Sequence, residues 1–185
     1  MRRRIAPFLP LALLLAAAPL AAQAPAAPAA APPAPRAADV ASADAILAAL
    51  YDVISGPAGQ ARDWDRFRSL FIPEARLIMV GKRPEGIVHR VLTPEDYVQR
   101  AGPQLEAQGF FEREIGRTTD RFGAVTHVFS AYDSRRKADD PAPFARGVNS
   151  IQLLDDGNRW WVVTVFWDSE REGHPIPADL IRARQ

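Results

Sequence analysis

The chain has 185 residues, 23 Lys plus Arg against 22 Asp plus Glu, three His and no Cys. The absence of Cys excludes disulfides, thiolate metal sites, a thiol nucleophile and a lipid anchor on a cleavage-site Cys. The balanced charge excludes the basic surface that nucleic acid or anionic lipid requires. With Arg2, Arg3 and Arg4 set aside, 20 basic residues face 22 acidic ones.

Those three arginines open a secretory pattern. An apolar run follows from Ile5 to Ala22, and small residues there suit a signal peptidase. The expected signal peptide is 1–22, because Pro25 obstructs a cut after Ala24. Residues 23–38 are an Ala/Pro spacer with almost nothing to build a core from. A domain over 39–172 and a tail over 173–185 complete the expected organisation. The expected location is periplasmic or secreted, with no stable membrane anchor after cleavage.

From Asp39 to Ser55, Ile46, Leu50, Val53 and Ile54 recur at helical spacing; Ser42 is a candidate cap and Gly56-Pro57 a stop. Asp63 suits the N-cap of a second helix carrying Trp64, Phe67, Leu70 and Phe71, which Pro73 ends. Two short strands, Arg76–Val80 and Ile87–Leu92, flank a turn-prone stretch over 81–86. Thr93-Pro94-Glu95-Asp96 starts a third helix, with Tyr97, Val98, Ala101 and Leu105 inside it. Gly102-Pro103 is expected to kink or split that helix.

Beyond Phe110 the period changes to that of strands. Phe110–Thr118 alternates loosely, whereas Ala124–Arg135 sets Val125, His127, Phe129 and Ala131 on one face. Arg146–Leu154 and Arg159–Ser169 form a hairpin around Asp155-Asp156-Gly157-Asn158. The tail, with Pro175 and Pro177, is expected to pack across the domain. Helices segregate from strands, so the fold class is α+β: a strongly curved, mostly antiparallel sheet wrapped around three helices. Such a cone encloses a hollow.

The segments ALYDVISG, ARDWDRFRSLFIPEARL, FFEREIGRTTDRFGAVTHVFSAYDSR and RGVNSIQLLDDGNRWWVVTVFWDSE resemble the NTF2-like superfamily, of the SnoaL-like, DUF4440-type, in its exported bacterial members of unassigned function. The resemblance covers roughly residues 40–172. It implies the cone fold, dimerisation through the sheet, and either ligand binding or cofactor-free chemistry.

No HExxH, GxSxG or phosphate-loop motif occurs, and His89, His127 and His174 do not pair at metal-ligand spacing, so neither metal nor cofactor is expected. The expected pocket lining is Tyr51, Phe71, Met79, His127, Phe129, Asn149, Trp161 and Trp167. Period-two geometry directs His127 inward with Val125 and Phe129, making it the candidate proton carrier. Asp133 on the same face is a candidate for the cone mouth. Asn149, alternating with Ile151 and Leu153, is a polar group on an apolar face.

Trp161, Val163, Val165 and Trp167 are assigned inward, and Trp160, Val162 and Phe166 outward. A strand apolar on both faces must be covered on both, which points to a homodimer through the outer sheet face, or to the tail folded over it. Arg113, Arg117, Arg135, Arg136 and Arg146 are expected on a charged outer face. Three functions compete: binding of a small apolar or cyclic molecule, an acid/base lyase or isomerase using His127, and an interaction module whose cone is filled.

Overall fold

The computed structural model describes residues 33–182. The expected leader 1–22 and most of the spacer lie outside the described residues. A 3₁₀ turn, Ala37–Val40, precedes helix α1, Ala43–Ile54. Ser42 caps α1, its Oγ accepting from the Ala45 N–H at 3.1 Å, so the expected single helix from Asp39 is a turn followed by a helix. Helix α2, Trp64–Ser69, begins at Asp63, whose carboxylate accepts from the Arg66 N–H at 2.9 Å.

Strand β1, Phe71–Arg83, runs through Pro73, which the sequence suggested as a helix stop. Proline has no N–H for the ladder, and the pairing of β1 shifts register between Phe71 and Arg76 to accommodate it. Strand β2 is Gly86–Leu92. Helix α3, Pro94–Gln108, opens with a capping box between Thr93 and Asp96. It continues through Gly102-Pro103 as one helix, correcting the expected split. Trp64 lies against Gly102, where an added Cβ would sit 3.0 Å from the indole.

Strands β3 (Phe111–Phe122), β4 (Val125–Arg135), β5 (Ala145–Asp155) and β6 (Trp160–Ser169) form the meander. The order across the sheet is β2-β1-β6-β5-β4-β3. Among the described residues only β1 and β6 pair in parallel. The sheet is open, with β2 and β3 as its edges. Register shifts also occur between Glu114 and Gly116 on β3 and between Gln152 and Leu153 on β5. Bulges bend and twist a sheet, which suits it to wrapping helices.

One face of the sheet packs on the helices. Val128, Ile151, Leu153, Val162 and Val165 meet Ile46, Leu50 and Val53 of α1, Phe67 and Leu70 of α2, and Val98 and Leu105 of α3. The other face is partly covered by the tail, as expected: Ile176 and Leu180, the latter in helix α4 (Ala178–Arg182), are buried with Ala131, beside Ile115, Val148 and Ile181. The approach is close enough that a Cβ on Gly116 would lie 2.2 Å from the Leu180 carbonyl oxygen. Among the described residues no helix is long and apolar enough to cross a membrane.

Candidate functional site

A cavity of about 240 Å3 lies between helices and sheet, so side chains do not fill the cone. Helix α1 supplies Leu50, Tyr51 and Ile54, α2 Phe67, and α3 Tyr97 and Leu105. The sheet supplies Leu77, Glu112, Tyr132, Ser134, Ala145, Asn149, Val165 and Trp167, and Phe110 and Phe144 complete the wall. The lining is largely apolar with a few placed polar groups, as small-molecule sites are.

Of the eight residues expected to line the hollow, Tyr51, Asn149 and Trp167 do so. Phe71 is fully buried one layer behind the wall, its ring 4.8 Å from that of Phe67. Met79, near the far end of β1, is 41% exposed and outside the cavity. His127 and Phe129 lie on the outer face. On β4 the buried helix-side positions are Thr126, Val128, Ser130, Tyr132 and Ser134, so the alternate positions point away. His127 Nε2 is 3.0 Å from Ser150 Oγ, and its ring lies beside Phe129 on that outer face. The misassignment arose because the outer face of β4 is the more apolar in sequence, while the inner face carries hydroxyls that serve the cavity.

Trp161 is also outside. Gln152 pairs with Thr164 but Leu153 pairs with Val162, leaving Val163 as an extra residue on β6. This bulge reverses the alternation, so Trp160 and Val162 are buried with Val165, and half-buried Trp167 packs against the same core. The expected inward set therefore holds for Val165 and Trp167 and inverts before the bulge. Trp161 instead caps the hairpin, its indole N–H donating to Asp156 at 2.7 Å with Arg159 stacked 3.6 Å from the ring centroid.

Glu112, absent from the expected lining, is the acid of the cavity. Its backbone N–H donates to Ser55 Oγ at 3.0 Å, and that hydroxyl donates to the Tyr51 carbonyl at 2.7 Å, tying β3 to the end of α1. The Ser134 hydroxyl donates to Glu112 Oε2 at 3.0 Å. Burial pushes the Glu112 carboxyl up to about 7, against the pull of Ser134 and Asn149 and with the help of the Asp133 charge. Burial likewise raises Tyr51 and Tyr97 well above the ordinary phenol range and pushes Tyr132 up to about 12. The sequence carries only the parts of this signal, Ser130, Tyr132 and Ser134 at period two and the alternate acids Glu112 and Glu114; the β3–β4 register sets them opposite one another.

A directed hydrogen-bond chain runs beside Glu112. The Asn149 Nδ2 group donates to Tyr51 Oη at 3.1 Å, Tyr51 lies 2.7 Å from Ser130 Oγ, and Ser130 donates to Glu114 Oε2 at 2.6 Å. An amide N–H only donates and a carboxylate only accepts, so the Tyr51 proton points to Ser130. The oxygen of Tyr51 then faces its surroundings as an acceptor.

A second, more polar hollow of about 450 Å3 adjoins the first, and Tyr51 and Glu112 line both. Asp44, Asp52, Arg113, Arg117, Asp133 and Arg135 line it. Asp133 is buried between Arg113 at 3.0 Å and Arg135 at 3.1 Å. Burial alone would raise its carboxyl, but those guanidiniums hold it below the usual carboxylate range. It is thus an ion-pair partner and does not line the apolar cavity. Of the other arginines, Arg117 bonds Asp44 and Glu114, Arg136 covers the Phe144 ring at 4.0 Å, and Arg146 pairs with Glu170 at 3.2 Å. Among the described residues no group of three or more His, Asp or Glu is placed to hold a metal ion.

The architecture is α+β: an open, mostly antiparallel six-stranded sheet with helices and a hollow on one side. The chain is similar to a Nostoc punctiforme protein of unknown function with a cystatin-like fold, at a TM-score of 0.51 and 11% identity over 68% of this chain and 86% of that one. Solved neighbours also include an NTF2-like protein of unknown function from Shewanella baltica (TM-score 0.44, 12% identity, 68% of this chain and 89% of that one). Another is an NTF2-like superfamily protein from Salmonella enterica serovar Typhimurium (TM-score 0.43, 13% identity, 63% and 80%). At such identities the likeness is one of fold alone. No protein-family model and no curated protein matches the chain.

Proposed function

We propose that the domain binds a small, largely apolar molecule of about one ring in size, held at its polar end by Glu112. The observation that carries this reading is the half-buried Glu112 carboxyl opening on a largely apolar cavity of about 240 Å3. A cavity of about 150 Å3 is enough to bind benzene, so this one accommodates a substituted ring. Its test is thermal melting with neutral single-ring probes such as p-cresol. A saturable rise in melting temperature, abolished when Ala145→Phe fills the cavity, is expected. No response to any such probe would overturn the reading.

A second reading is favoured by the Glu112 carboxyl, which titrates near neutrality. A group poised there is suited to shuttling a proton in a lyase or isomerase reaction. The acid/base alternative therefore attaches to Glu112, since His127 faces away from the cavity. Exchange of solvent deuterium into a bound cyclic ketone, lost in Glu112→Gln, is the test.

The outer face supports a homodimer: Ile87, Val91, Val125, Phe129 and Phe166 are exposed there. Trp160 is buried with the core, so Phe166→Glu is the informative variant, and a sedimenting mass unchanged by it contradicts this interface. The Arg2–Ala22 pattern supports export, tested by the N-terminal residue of protein recovered outside the cytoplasm.

A further inference from the structure

The buried carboxylates Asp39 and Asp133 and the half-buried Glu114 each have a cation. Asp39 is bonded by Arg66 at 2.7 Å, Asp133 by Arg113 and Arg135, and Glu114 lies 3.3 Å from Arg117. Among the described residues, no Lys, Arg or His forms a salt bridge with Glu112, although it is the acid on the cavity wall.

The groups facing it do not supply the missing charge. Tyr51 comes from α1, Tyr97 from α3, Tyr132 and Asp133 from β4, and Glu114 from its own strand. All are neutral or acidic. Arg113 and Arg135 are occupied by Asp133, and Arg117 by Asp44 and Glu114. Ser134 and Asn149 give the carboxylate neutral hydrogen bonds but no charge, and the Tyr51 oxygen is an acceptor, because it receives from Asn149 and has given its proton to Ser130.

The rest of the wall mixes aliphatic side chains with aromatic rings. Tyr97 and Trp167 meet edge to face with centroids 6.5 Å apart, and Phe110 and Phe144 do the same at 6.1 Å. The faces of such rings attract cations, most strongly where water is excluded. A carboxyl without a cation, the acceptor oxygen of Tyr51 and aromatic ring faces are together complementary to a positively charged donor.

We propose that the cavity selects a small organic ammonium ion, its N–H groups on the Glu112 carboxylate and the Tyr51 oxygen and its hydrocarbon body against Tyr97, Tyr132 and Trp167. This rests on the reading of the cavity as a ligand site and specifies the ligand's charge. The pairing requires ionised Glu112. Below pH 7 the empty protein holds a proton there, so binding of the cation expels that proton to solvent.

The test is calorimetric titration of the full chain with benzylamine and with benzyl alcohol, at pH 6 and pH 8, in buffers of different ionisation enthalpy. Benzylamine is expected to bind about tenfold more tightly at pH 8, because its competent partner is mostly ionised there and mostly protonated at pH 6. Close to one proton is released per benzylamine bound at pH 6, and none for benzyl alcohol. Glu112→Gln loses at least tenfold in benzylamine affinity and keeps its affinity for the alcohol. If the alcohol binds and the amine does not, or the amine binds without pH dependence or proton release, the ammonium inference is overturned and the cavity reading stands. If neither binds, the cavity reading itself falls and the inference with it.

Discussion

The Asn149 amide donates to the Tyr51 hydroxyl at 3.1 Å, joining β5 to α1 across the wall of the cavity. The bond fixes the direction of the chain that continues through Ser130 to Glu114. Tyr51→Phe removes the middle of that chain and takes one hydrogen-bond partner from each of buried Asn149 and Ser130. A loss of about 1–3 kcal/mol in unfolding free energy is expected. In a double-mutant cycle with Ser130→Ala the two changes should be strongly non-additive; strict additivity would contradict a connected chain.

Glu112 sets a stability cost that depends on pH. Its folded pKa of about 7 lies above the ordinary 4.5, so the unfolded chain ionises first as pH rises. Between about 4.5 and 7 the folded state holds the extra proton, and its contribution to stability falls as pH rises through that window. Glu112→Gln is therefore expected to be more stable than the parent at pH 8, by on the order of 2–3 kcal/mol, and nearly equal to it at pH 4. Denaturant unfolding at the two pH values checks this, and a variant less stable at pH 8 contradicts it.

Arg62 is a buried cation with no carboxylate on its guanidinium among the described residues. It donates instead to the carbonyls of Ile54 at 3.2 Å, Gly56 at 2.6 Å, Pro57 at 3.3 Å and Leu105 at 3.2 Å, and to that of Gln60. These acceptors include the last turn of α1 and the loop that follows it. Arg62→Leu strands them, and a loss of roughly 3 kcal/mol or more is expected in chemical unfolding. Gly56→Ala acts on the same node, since its Cβ would lie 2.6 Å from the guanidinium.

The tail and the cavity lie on opposite faces of the sheet. Leu180→Asp is expected to lift α4 from Ala131 and Ile115, making the C-terminal segment quickly cleavable by protease. Binding of a cavity probe should be unchanged in that variant. A matching loss of binding would show that the two faces are coupled.

Much of the fold was legible because local chemistry agreed with tertiary structure. Ser42, Asp63 and Thr93 announced their helices, and Val165, Ile151 and Leu153 announced the inner face of the last hairpin. The site was less legible for two physical reasons. The bulge at Val163 inverts the alternation within one strand, which a count by twos cannot see. On β4 the usual rule reverses: the face over the cavity carries Ser130, Tyr132 and Ser134, while Val125 and Phe129 face outward. Asn149 was readable because a lone amide on an apolar face needs partners. Glu112 was not, because its shelter depends on α1 and Ser55 closing over the edge strand.

The most direct test of the central claim is a carboxyl NMR titration of Glu112 in the folded protein, assigned by loss of its signal in Glu112→Gln. A carboxyl sheltered in the cavity should titrate with a midpoint near 7, and the midpoint should fall when benzylamine is added. A midpoint in the ordinary glutamate range would mean that water reaches this group freely, and would contradict the sheltered site.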